Sequence, residues 1–243
     1  MADQLQLESG VVLDARGAAW FGEAGILALA GVQIGGPGPS RPGGSSLALS
    51  ALDDALYRFT ELLADYRPLK TVVLGNPLPG VLNPALLEHA LKSFVATVTC
   101  HGELVLVPGA PEPRLDEARQ RWGLSFQVLP ALEAGRLLLV HGDDASAEAA
   151  RAWLAGHPDG LVVFDREHPV ALVRQQVPSP MRYPCFLVAP DRLCLPAYSP
   201  AVGGSPVSEG RYQSPLAQEA SWSRVVAIAG LRLVSLPWPQ AAR

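Results

Sequence analysis

Two histidines stand where apolar runs end: His141 in "LLLVHGDD" (137–144) and His168 in "LVVFDREHPV" (161–170). Each has carboxylates beside it, Asp143 and Asp144 in the first case, Asp165 and Glu167 in the second. Asn76 closes a third run, "VVLGNPLPG" (72–80). Imidazole nitrogens and carboxylate or amide oxygens brought from several strand ends into one cleft can hold a divalent cation, which activates a bound water and clamps a phosphoryl oxygen. Simpler roles compete for the same residues. A histidine closing a buried strand serves as a hydrogen-bonded structural residue. Asp143 and Asp144 cap a helix beginning near Ala145, and Asp165, Arg166 and Glu167 form a solvated turn whose ion pair is worth little. A fourth run, "ELVLVPGAPE" (103–112), ends in a similar turn that offers only Ala110 and Pro111 before Glu112, and a fifth, "LALAGVQIGG" (27–36), offers Gly31 and Gln33.

These residues need strands to carry them. Strand-like apolar runs lie at Val11–Leu13, Gly25–Val32, Thr71–Leu74, Val95–Thr99, Glu103–Val107, Phe126–Val128, Leu137–His141, Gly160–Phe164, Val170–Val173, Cys185–Val188, Arg192–Leu195 and Val225–Val234. Their Val/Ile/Leu density fits strands covered on both faces. Helical spacing is clearest at Leu47–Asp65, where Leu52, Leu56, Phe59, Leu62 and Leu63 form a core stripe and Asp53, Asp54 and Arg58 face away. Shorter helices fit Pro84–Phe94, Pro113–Trp122 and Ala145–Leu154. The alternation predicts a layered α/β domain, single over residues 1–243. A Gly/Pro/Ser loop spans 34–46. A C-terminal extension, 205–243, either completes a sheet or forms an interface, with Trp238 as an aromatic anchor.

Composition narrows the function classes. The 243 residues, 49% hydrophobic, are enough to bury a large core. With 19 basic against 23 acidic residues, a formal −4, the chain has no global attraction for nucleic acid or an anionic membrane. Cys100, Cys185 and Cys194 are too few and too scattered for a disulfide framework and read as free thiols. The polar start "MADQLQLESG" is unlike a secretion signal and no apolar run reaches about 18 residues, so a cytoplasmic protein without a membrane partner is expected. The Gly-rich "GPGPSRPGG" lacks the lysine and spacing of a phosphate-cradling loop. Cys100 and His101, read as adjacent strand residues, point to opposite faces and make no nucleophile–base pair.

Taken in order, the strand-end turns at 27–36, 72–80, 104–112, 137–144 and 161–170, followed by "RYPCFLVAPDRLCLPAYSPAVGG" (182–204), resemble those of the calcineurin-like metallophosphoesterases, nearest to the bacterial ligase-associated DNA-damage-response phosphoesterases. The "RYPCFL" and "LPAYSPAVGG" segments are the most specific part, and the likeness spans roughly residues 20 to 207. It implies a four-layer αββα sandwich of two mixed sheets flanked by helices. It also implies a dinuclear metal site, whose ligand positions this chain mostly fills otherwise. Gly31 and Gln33 stand for the first aspartate and histidine, and Asn76 for the bridging aspartate. Ala110, Pro111 and Glu112 replace an Asn-His-Asp turn, and Arg166 replaces a histidine, while His141 and His168 match.

The expectation is therefore a degenerate phosphoesterase, a pseudoenzyme with no catalytic residue and no cofactor that acts by binding or scaffolding. Its first expected partner is a protein of DNA repair. DNA is the second, met by a groove of Arg41, Arg166, Arg174, Arg182 and Arg211, and a second copy of the chain is the third. The alternative is an active metal-dependent phosphoesterase or nuclease with a reduced or relocated site, using Mn²⁺ or another divalent metal on His141, His168 and Asn76, joined by Asp165 or Glu112.

Overall fold

The computed structural model describes residues 1–34, 44–78, 84–173, 181–200 and 202–238. The greater part of the expected 34–46 loop, together with Arg41 and Arg174, lies outside them.

Seven strands form the first sheet: β1 (Gln4–Gln6), β2 (Val12–Asp14), β3 (Ala18–Phe21), β4 (Ile26–Ala30), β5 (Lys70–Leu74), β6 (Glu103–Val107) and β7 (Gln127–Val128). They lie in chain order, antiparallel from β1 to β4 and parallel from β4 to β7. The second sheet contains β8 (Ala131–Ala134), β9 (Leu137–Val140), β10 (Leu161–Phe164), β11 (Val170–Val173), β12 (Met181–Val188), β13 (Arg192–Cys194), β14 (Arg224–Ala229) and β15 (Arg232–Pro237). Its order is β15-β14-β12-β13-β10-β9-β8, with β11 paired to β12; β9, β10 and β13 are parallel and the other pairs antiparallel.

Side-chain alternation sorts each central strand between two apolar layers. In β4, Leu27 and Leu29 point toward the helices α1 (Gly44–Tyr66), α2 (Pro84–Thr99) and α3 (Pro113–Trp122), while Ile26, Ala28 and Ala30 point toward the other sheet. β6 divides the same way, Leu104 and Leu106 against Val105 and Val107. In the second sheet, Leu137 and Leu139 of β9 face the first sheet, whereas Leu138 and Val140 face α4 (Asp144–Gly156) and α5 (Pro215–Glu219). A strand buried on both faces must be apolar at every position, which is why these runs are continuous rather than alternating. The result is the expected four-layer αββα sandwich.

Four local expectations are corrected. Val95–Thr99 is the last stretch of α2, not a strand: Val95 and Val98, three apart, both enter the layer beneath the first sheet, and that helical register outweighs β-branched propensity. The run Val225–Val234 is a hairpin of two strands, turning at Gly230 with φ 65°. Cys100 and His101 accordingly follow a helix and are both exposed. In α1, Phe59, Leu62 and Leu63 are buried as the stripe requires, while Leu52 lies outside the described side chains. Arg58 does not face away but lies over the Tyr198 ring, 4.5 Å from its centroid. β14 pairs with β12 and β15 with β14, so the C-terminal residues complete the edge of the second sheet, and Trp238 stacks on Trp222 with ring centroids 6.1 Å apart. Among the described residues, no helix is long and apolar enough to cross a membrane.

Candidate functional site

The carboxyl ends of β4, β5, β9 and β10 converge between the two sheets, where parallel-strand architecture places ligands. A cleft of about 220 Å³ there is lined by Gly31, Gln33, Asn76, His141, Arg166 and His168. A larger groove, about 620 Å³, opens elsewhere between Gln6–Val11 and Ala134–Leu137, but its one cationic residue, Arg136, is tied to the Ser9 carbonyl. The strand-end cleft brings together two histidines, Asp165 and Arg166.

Ala110 and Pro111 are not in that cleft. They line a neighbouring hollow of about 420 Å³ with the start of α3. Their turn serves the site differently: Gly109, at φ 80°, lets the backbone run against His141, where a Cβ would collide with Nδ1. Glu112 is committed to the turn. It caps α3 by accepting from Arg114 N at 3.2 Å, pairs with the Arg114 guanidinium at 2.8 Å and receives Asn76 Nδ2 at 2.5 Å. The hydrogen bonds from Arg114, helped by Asn76 and opposed by partial burial, hold its pKa down to about 2. Glu112→Ala is expected to cost about 1 kcal/mol, the usual value of a lost cap. Because the folded pKa is depressed, that contribution is present above the unfolded carboxyl pKa and fades as pH falls toward 2, which acid-dependent urea melts will show.

Asn76 spends both ends of its amide, the Oδ1 accepting from Leu78 N at 2.9 Å. The expected third metal donor therefore has one of its two oxygen lone pairs already taken. His141 holds Asp143 at 3.3 Å through Nδ1, and Asp143 also caps α4 by accepting from Ser146 N at 2.9 Å. Burial raises the Asp143 pKa, but the Ser146 and His141 interactions outweigh it and leave it lowered.

The turn after β10 departs most from expectation. Asp165 and Glu167 are not solvated: each is only 1% exposed. Asp165 Oδ2 turns to Gly31 N at 3.4 Å, and Oδ1 lies 3.3 Å from His168 Nε2. Glu167 points inward and accepts from Ser214 N. Burial alone would lower the His168 pKa, yet the adjacent Asp165 carboxylate, with a smaller contribution from Glu167, outweighs it and raises it. Asp165 and Gln213 thus join the cleft, neither having been singled out as one of its vestigial positions. The available signal for Asp165 was its place directly after the fully buried "LVVF". Of the expected arginine groove, Arg166 lines the cleft, whereas Arg182 is bonded to the Gly204 carbonyl and Arg211 is exposed elsewhere.

The "LPAYSP" segment explains its own specificity. It crosses from β13 to the end of β4, bridging Ala197 to Ala30 and donating from Tyr198 N to Ala30 O at 2.8 Å. Tyr198 is buried edge-on against Phe59, with its hydroxyl donating to Ala55 O at 2.8 Å. Ser199 Oγ then accepts from Gln33 N at 2.8 Å, which fixes the Gly31–Gln33 turn over the cleft.

No family model matches the sequence, and no curated protein matches it either. A search of solved structures gives nuclease MPE of Pseudomonas putida, with a TM-score of 0.62 and 20% identity, covering 97% of this chain and 100% of that one. The fold is metallophosphoesterase-like. The resemblance implies a two-metal cluster in the strand-end cleft; His141, His168 and Asp165 could donate there, but the other positions it assigns to ligands fit a cluster poorly. Gly31 has no side chain, Asn76 is engaged, Arg166 is a cation, and no group of three His, Cys, Asp or Glu residues suited to a metal occurs among the described residues. Two dications beside a guanidinium would lack the anionic ligands that low dielectric demands.

Proposed function

We propose that this chain is a degenerate metallophosphoesterase, a pseudoenzyme that works by binding, with a protein of DNA repair as its first partner class and DNA as its second. The observation that carries this reading is Arg166, a guanidinium lining the cleft at a position where the resemblance calls for a metal-binding histidine. The link to nucleic acid rests on the resemblance to DNA-damage-response phosphoesterases and on the structural neighbour being a nuclease.

A second reading has its own support. His141 with Asp143 and His168 with Asp165 are two carboxylate-backed imidazoles lining one cleft, an arrangement that an active phosphoesterase or nuclease with a relocated metal site could use. Mn²⁺-dependent turnover of a chromogenic phosphodiester and of single-stranded DNA separates the two. The expected result for the wild-type chain is no turnover above a buffer blank. Robust turnover that His141→Ala or His168→Ala abolishes would overturn the pseudoenzyme reading and put the relocated-site enzyme in its place.

A further inference from the structure

Arg166 and His168 both sit in the left-handed region, at φ 43° and 44°, although neither is glycine. Strain of this kind persists only where the surroundings over-determine it, and it concentrates at ligand-binding sites. Here the turn is pinned on every side. Asp165 N donates to His141 O at 3.2 Å, Ser205 N donates to Glu167 O at 3.1 Å, and the Glu167 carboxylate takes Ser214 N from below. The consequence is a sorting of charge: Glu167 is sent into the protein, while the two flanking basic side chains line the same cleft.

Within that cleft, the Arg166 Nε is buried without a hydrogen-bond partner. Among the described residues its guanidinium forms no ion pair within 4.0 Å. Asp165 lies behind His168 with its other oxygen against Gly31 N, so its charge supports the imidazole rather than pairing with Arg166. The remaining lining includes the amide-bearing Gln33 and Gln213. A planar guanidinium, an imidazole and amide donors together match an anion with several oxygens, which Arg binds in bidentate fashion. At about 220 Å³ the space is smaller than a drug-sized pocket and suits one compact group rather than a length of duplex.

We propose that this cleft binds a phosphate monoester, the terminal phosphate of a nucleic-acid strand or free phosphate, without metal, with Arg166 as its cationic contact and the His168 ring beside it. The proposal deepens the binding reading above and rests on it.

The test uses the full chain in EDTA with single-stranded oligonucleotides of one sequence carrying a 5′-phosphate, a 3′-phosphate or hydroxyl ends, followed by fluorescence anisotropy, with inorganic phosphate as competitor. A phosphorylated end is expected to bind at least tenfold more tightly than hydroxyl ends, and Arg166→Gln to lose that preference. Asp165 and Arg166 on the same loop and His141 across the cleft are the charged and titratable groups lining the site with His168. If Arg166→Gln does not fold, as thermal melting will show, His168→Gln and the wild-type competition decide instead. Competition by inorganic phosphate without any preference among strand ends assigns the site to the free ion and upholds the phosphate chemistry. Absence of both preference and competition overturns the proposal, as does full retention of the preference in a folded Arg166→Gln. Metal-dependent hydrolysis would end the pseudoenzyme reading by a separate readout, leaving this metal-free measurement to stand or fall by itself.

Discussion

A chain carrying Gly31→Asp is expected to be less stable by on the order of 2–4 kcal/mol and to gain no Mn²⁺-dependent hydrolysis, although the substitution supplies the aspartate that the resemblance calls for. Gly31 has φ 56°, and a Cβ there would lie 2.9 Å from His168 Nε2, 3.0 Å from Ala197 Cβ and 3.1 Å from Ala197 Cα. The imidazole can move, but the Ala197 backbone is held by its bridge to Ala30 and by Tyr198 beneath it. The strap has closed over the space an aspartate would need. Asn76→Asp meets a different obstacle: its carboxylate would replace the amide that donates to Glu112 at 2.5 Å, setting two anions against each other. Urea denaturation and turnover of a chromogenic phosphodiester check both variants. A Gly31→Asp chain with unchanged midpoint and measurable metal-dependent turnover would refute the closed-strap account.

Arg16→Ala is expected to cost about 3–5 kcal/mol at neutral pH, because it strands a carboxylate that has no other cation among the described residues. Asp14, at the end of β2, is fully buried, with Arg16 Nε at 2.8 Å and Nη2 at 2.7 Å on its two oxygens and the Tyr66 hydroxyl donating at 2.8 Å. Arg16 also reaches Asp65 at 2.8 Å, so the pair fastens the first sheet to the end of α1. Burial by itself would raise the Asp14 pKa, but the bonds from Arg16 and Tyr66 outweigh it and lower it. The sign follows: the stabilisation is present above the unfolded aspartate pKa of about 3.9 and is lost as pH falls through the lower folded value. Paired urea melts at pH 7 and near pH 3 test this, the gap between wild type and variant narrowing in acid. A gap below about 1 kcal/mol at pH 7 would show that the pair is not holding the sheet to the helix.

Much of the sandwich was legible locally. "ILALA" and "ELVLV" announce strands buried on both faces, and the stripe through Phe59, Leu62 and Leu63 announces a helix against them, because period and hydrophobicity are properties of neighbouring residues. The same local rule misreads Val95–Thr99, whose β-branched side chains are tolerated in a helix once Val95 and Val98 have a sheet to pack on. The order of the strand-end turns was also readable, and it brought Gly31, Gln33, Asn76, His141, Arg166 and His168 to one cleft. What each residue does there was not readable, because the deciding partner lies far along the chain. "DREHP" alone reads as a solvated turn; Ser214, 47 positions away, and Gly31, 134 positions away, take the carboxylates of Glu167 and Asp165 out of water. Asn76 reads as a weak ligand, and only the fold shows that Glu112, 36 positions on, orients its amide by accepting from the nitrogen. Ala110 and Pro111 keep their place in the turn order yet fall in the next hollow, since α3 and the chain around Val128 form its walls. Local sequence determines which residues reach the carboxyl edge of a sheet; only the packing of two sheets and a crossing strap determines which of their polar atoms remain free.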